Sequence, residues 1–145
     1  MATFTFFDEF KKRLGDGDID LTTSTGHTFK LFLTNTAPNV DTHDDKTDLT
    51  EISATGGYTQ KTLTHSWAET SAGTGIWRFA NNADVVWTAS GGTFDTFRYV
   101  ALFDDTHASD ALVGYWDNGS TVSLTDTNTF TLNLDANFEI FTLVG

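Results

Sequence analysis

Cysteine is absent from the 145 residues. Disulfides and thiolate metal sites are therefore excluded, and nothing in the sequence records a redox compartment. Proline occurs once, against 12 glycines, so the turns fall to residues that accept a positive φ, as tight hairpins require. Basic residues are scarce: 8 against 20 acidic ones, for a formal net charge of −12. Such a field repels phosphate backbones, so no nucleic-acid partner is expected and a basic protein surface fits better. No apolar run approaches the roughly 20 residues that span a bilayer, and no membrane partner is expected. The start, MATFTFFDEFKK, lacks the basic-then-apolar order of a secretion signal.

Signatures of chemistry are missing as well. No serine sits in a Gly-x-Ser-x-Gly elbow. His27, His43, His65 and His107 stand apart, and a metal site would have to draw them from four segments. They read as surface or strand-face residues. Asp16, Asp18 and Asp20 open like a calcium loop, but Leu21 and His27 occupy the positions that need glycine and glutamate. Asp41, His43, Asp44 and Asp45 lie in a segment that nothing fixes around a cation. Asp104 and Asp105 are adjacent on a strand and so point to opposite faces, which is poor geometry for a catalytic pair. No enzyme, cofactor or metal is expected.

What is present is strand material. Phenylalanine reaches 13 and threonine is frequent, as suits pleated, half-buried surfaces. The centre is Phe94–Asp105, FDTFRYVALFDD. Phe97, Tyr99, Ala101 and Phe103 alternate with Val100 and Leu102, so the strand is apolar on both faces and expects cover on both. Further strands are predicted at Ile19–Thr22, Thr28–Thr34, Tyr58–Trp67, Ile76–Ala80, Asp84–Ser90, Ala111–Asp117, Thr121–Leu124, Thr129–Asp135 and Phe138–Val144. Asn118-Gly119 is the strongest hairpin signal. In NFEIFTLVG the apolar register switches between Ile140 and Phe141, which predicts a bulge or a strand covered on both faces.

The spacing of Phe6, Phe7, Phe10 and Leu14 predicts one helix over Thr5–Leu14, stopped by Gly15. Residues 1–15 then form a helical arm, set over one end of the β core or docked on a neighbouring subunit. Residues 35–57, with Pro38, Asn39, Asp41, Asp44 and Asp45, form an irregular acidic loop, with one helical turn near Thr47–Ile52. Trp67, Trp77 and Trp87 fall ten apart. Trp77 shares a face with Phe79, and Trp116 neighbours Tyr115. Core anchoring is the ordinary role of such residues; an exposed one serves as a contact or as a platform for a sugar ring. The length suits one all-β antiparallel domain, a sandwich or barrel with a short N-terminal helix.

The segments TFTFFDEFKKRLGDGDIDL, TFKLFLTNTAPN, WAETSAGTGIWRF, WTASGGTFDTFRYVALFDD, GYWDNGS and FTLNL…FTL together resemble small structural proteins of tailed-bacteriophage virions. These are framework segments, and they carry no site residues. The resemblance implies a capsid decoration (cement) protein with a jelly-roll-like antiparallel β-sandwich, made in the bacterial host cytoplasm and placed on the capsid surface. Its implied partners are the major capsid protein or other virion proteins, with itself as a dimer or trimer. On that expectation Phe6, Phe7, Phe10, Asp41, Asp44 and Asp45 are the contact candidates. The alternative is a glycan-binding, lectin-like fibre or tail module, with Trp67 and Trp116 as its sugar platforms.

Overall fold

A computed structural model describes residues 2–144. In chain order its strands are β1 (Phe4–Phe6), β2 (Phe29–Thr34), β3 (Lys61–Thr62), β4 (Ser66–Glu69), β5 (Ile76–Ala80), β6 (Val85–Thr88), β7 (Phe97–Asp104), β8 (Ala111–Val122), β9 (Thr129–Leu132) and β10 (Glu139–Val144). The helix α1 (Asp8–Asp16) follows β1. Pairing throughout is antiparallel, in a five-stranded sheet ordered β1-β8-β7-β2-β3, a three-stranded sheet β10-β5-β4 and a two-stranded sheet β6-β9.

The strand β7, buried at seven of its eight residues, is the middle strand of the largest sheet. Leu31 pairs with Leu102 on one side of it, and Trp116 with Val100 on the other. Val100 and Leu102 join Leu31, Leu33 and Phe29 in the main apolar cluster, while Ala101 and Phe103 join Phe7, Phe32, Leu49 and Leu112 in a second. The two clusters mark the two sheet faces. Phe97 departs from the expected alternation and joins the main cluster, beside the point where the ladder with β8 shifts between Phe97 and Tyr99.

The acidic segment packs against its own sheet. Its helical turn is a 3-10 turn at Lys46–Asp48, and Leu49 sits in the second cluster. The Lys46 ammonium lies 5.0 Å from the Phe32 ring centroid and 5.6 Å from that of Phe103, a cation–π contact. Leu112 N–H donates to Asp44 O (3.0 Å) and Lys46 N–H to Asp110 O (2.9 Å), extending the β8 edge beyond β1. On the far side Ile52 N–H donates to Leu33 O (3.0 Å). Both edges are thereby blunted.

Several sequence expectations are corrected. Phe4–Phe6 is a strand, with Phe4 opposite Trp116 and Phe6 opposite Gly114 of the same chain. The free edge of β8 offers unpaired backbone groups, and these outweigh the helical spacing of the phenylalanines. A Cβ on Gly114 would run into the Phe4 ring and the Thr5 carbonyl, so the close approach of β1 needs glycine there. The helix ends at Gly17 (φ 83°), one turn-fraction beyond Gly15, and Asp18 N–H closes the cap on Arg13 O (2.9 Å). Ile19–Thr22 forms no strand, and of Tyr58–Trp67 only β3 and the start of β4 are strand. Asn118-Gly119 does not separate two strands. Asp117 pairs with Tyr99 and Val122 with Phe97, so residues 118–121 bulge from a single strand opposite Arg98. The bulge expected near Ile140 is present, as a register shift between Glu139 and Phe141.

The smaller sheets contribute to the main cluster. Phe79 of β5 meets Phe29 at 5.1 Å and Phe141 at 5.1 Å, and Phe130 of β9 meets Phe97 at 5.0 Å. Phe4, Phe6 and Phe10 all contact the Phe141 ring, at 5.8, 5.0 and 5.8 Å.

Candidate functional site

The β4–β5 hairpin carries an aromatic face beyond the core. Trp67 stands opposite Phe79 and Trp77 opposite Glu69, so with the period of two these side chains share one face. At the inner end Phe79 and Phe141 are buried. At the outer end Trp77 is 42% exposed and stacks on half-buried Trp67 with ring centroids 5.6 Å apart. Leu143 of β10 pairs with Trp77. A hollow of about 250 Å³ beside them is lined by Leu14, Leu21, Trp67 and Leu143. The hairpin tip is held by the Glu69 carboxylate, which accepts from Gly75 N–H (2.6 Å) and Gly73 N–H (3.0 Å). Those donors hold the Glu69 carboxyl below its ordinary range. Because β4 is an edge strand, the tryptophan pair sits at a sheet margin, where Trp67 N–H donates to Thr23 Oγ1 (2.7 Å).

A second constellation joins His27 to Asp104. Asp104 is 0% exposed. Its carboxylate accepts from Thr106 N–H (3.0 Å) and His107 N–H (3.2 Å) and lies 2.5 Å from His27 Nδ1. His27 and His65 line one cavity of about 340 Å³. A carboxylate behind an imidazole fixes its orientation. Among the described residues no hydroxyl hydrogen-bonds His27, and no three His, Asp or Glu side chains gather in metal-binding range.

His65 packs between Phe29 and Phe79, at 5.1 and 5.0 Å, and its Nε2 is buried without a partner among the described residues. Burial lowers its pKa below the ordinary 6.5, against the opposing pull of the Leu21 and Thr22 backbone and of Asp104 and Asp20. The unfolded chain therefore takes up this proton first as pH falls. The stability tied to neutral His65 is complete above the ordinary value and is lost progressively below it. We expect the urea midpoint to fall between about pH 7 and about pH 5, and the His65→Leu variant to show a shallower fall over that window. An equal slope in the variant would exclude His65 as its source.

A third place is a cleft of about 440 Å³ where the 118–121 bulge faces β9, lined by Val100, Trp116, Asp117, Phe130 and Asn133. Arg98 grips Asp117 at both oxygens, Nε to Oδ1 at 2.7 Å and Nη2 to Oδ2 at 2.9 Å. This grip lowers the Asp117 pKa; both groups are more than a third exposed, so its contribution to stability is small.

The residues predicted for contacts distribute as follows. Phe7 and Phe10 are 0% and 1% exposed and Trp116 3%, so their rings belong to this chain's own interior. Phe6 is half-buried and stacks on Phe10 at 5.4 Å. Asp45 accepts from Arg13 (2.9 Å) and Ser109 (2.7 Å), and half-buried Asp44 is tied through its backbone to Leu112. Asp41 is exposed, and Trp67 lies in the aromatic surface. The residue that sequence reasoning placed inside is Trp77. Its alternation with Phe79 was legible, but the end of the core between them was not.

Comparison with protein-family models, curated protein sequences and solved structures finds no match for this chain.

Proposed function

We propose that this chain is a structural protein of a tailed-phage virion, a decoration protein that binds the assembled capsid from outside and stabilises it. The observation that supports this most directly is the Trp67–Trp77 stack, left open beside an edge strand on a hairpin whose tip is already fixed. Tryptophan in a pre-ordered site is the typical anchor of a protein interface. The net charge of −12 complements a basic partner and speeds encounter with it. The sequence segments that resemble virion proteins name the partner class, the major capsid protein or its neighbours. The reading includes a jelly-roll-like β-sandwich, with the three-stranded and two-stranded sheets opposite the five-stranded one, and a dimer or trimer on a symmetry axis of the shell. It contains no catalytic step.

The test is co-sedimentation of purified protein with capsids that lack it, followed by heating of the particles. The wild type should bind and raise the temperature of shell disruption. Trp77→Ala should weaken binding by about 30-fold or more, the loss expected for an anchoring tryptophan at ~2 kcal/mol, with its melting transition kept close to wild type. A variant that binds as well as wild type would remove the aromatic surface from the reading, and no binding by the wild type would remove the capsid.

A further inference from the structure

We infer that the cleft between the β8 bulge and β9 is a binding site for a small neutral polyhydroxylated ligand, a sugar ring in particular. It lies on different residues from the Trp67–Trp77 surface and does not depend on the capsid reading.

Trp116 carries the inference. The residue is 3% exposed, and its ring is held by Phe4 with centroids 4.6 Å apart. The other deeply buried tryptophan, Trp87, donates its indole N–H to Thr59 O at 3.1 Å. Trp116 has no such partner among the described residues. Among the described residues, the buried side-chain polar atom cut off from both protein and solvent is His65 Nε2. Trp116 lines the cleft, and its indole N–H is the donor that an entering ligand would satisfy. A buried tryptophan ordinarily satisfies its N–H; here the donor is left for something that enters.

The surroundings suit hydroxyl groups. The bulge lifts Asn118 out of the ladder, and bulges of this kind re-aim side chains beside binding sites. The Asn118 amide nitrogen donates to Ser120 O (3.0 Å), which leaves its carbonyl as an acceptor. Asp117 Oδ1 already accepts from Arg98 and from Gly119 N–H (2.7 Å), whereas Oδ2 accepts from Arg98 alone and keeps a free lone pair. Thr131 and Asn133 add a hydroxyl and an amide on the β9 side, and half-buried Phe130 supplies an aromatic surface for the C–H face of a sugar. The volume, about 440 Å³, lies at the small end of the roughly 300–1,000 Å³ of ligand clefts. An ionised Asp117 within a strongly acidic protein selects against anionic sugars and phosphates.

The chain has 4 tryptophans, so its indole N–H resonances are few enough to assign singly by substitution. ¹⁵N-labelled full chain is titrated with glucose, galactose, N-acetylglucosamine and maltose. The expected result is a saturable shift of the Trp116 indole signal with one of these sugars, with Kd of about 1 mM. The Trp67, Trp77 and Trp87 signals should stay in place. Asn133→Ala, an exposed position that leaves the fold intact, should weaken the response about tenfold, the cost of one lost hydrogen bond. No shift with any sugar overturns the inference. So does a shift confined to Trp67 or Trp77, a non-saturating drift of all the indoles together, or an unchanged response in Asn133→Ala.

Discussion

Phe79→Ala should lower the unfolding free energy by about 3–5 kcal/mol, the range for emptying a buried phenylalanine site. Phe79 is 0% exposed, and it is where the smaller sheet grips the larger one. Its ring meets Phe29 at 5.1 Å, His65 at 5.0 Å and Phe141 at 5.1 Å. Two of those neighbours are rigid aromatics on different sheets, so the hole cannot close by a single side chain moving. Domains have only about 5–15 kcal/mol in hand, so the variant should unfold at far lower denaturant with its slope unchanged. Phe79→Leu refills most of the volume and should cost clearly less. A Phe79→Ala loss of about 1 kcal/mol would mean that the two sheets are held together elsewhere.

The second large effect is expected at Asp104. Replacing it with alanine deletes the acceptor for Thr106 N–H, His107 N–H and His27 Nδ1 at one stroke. The site is fully buried, so water does not readily replace what is lost. Each orphaned donor costs about 1–3 kcal/mol, and the total should fall near 3–5 kcal/mol. Asp104→Asn separates the causes. Its carbonyl oxygen keeps both backbone donors, and its amide donates to the unprotonated Nδ1 of the other His27 tautomer. It should therefore lose only about 1–2 kcal/mol. Denaturant titration of the pair checks the order; equal losses would show that the charge matters and the hydrogen-bond geometry does not.

The centre of the fold was legible because β7 is apolar on both faces, and only an interior strand can bury both. The bulge in β10 was legible for a related reason, since adjacent apolar residues cannot face one way without a slip. The first residues were not. Phe4, Phe6, Phe7 and Phe10 fit a short strand and a helix equally well, and the choice was made by the distant β8 edge. Asn118-Gly119 carries hairpin chemistry, but the chain bends out and rejoins the same neighbour, which only the partner's register decides. Asp104 and His27 stand 77 residues apart, so no local pattern announces a buried pair. Trp77 obeys its alternation and still lies outside, because periodicity fixes a face and says nothing of where along that face the core stops.

The contacts of Phe4 and Phe6 with Phe141 have a kinetic consequence. These rings are synthesised well before that partner, which follows after nearly the whole described chain. At about 5–20 residues per second of translation, roughly ten seconds or more pass before that partner is made. Until then the nascent polypeptide leaves these rings without their final neighbour. Pairings this distant in sequence also place its spontaneous refolding at the slow, millisecond-to-second end for small domains.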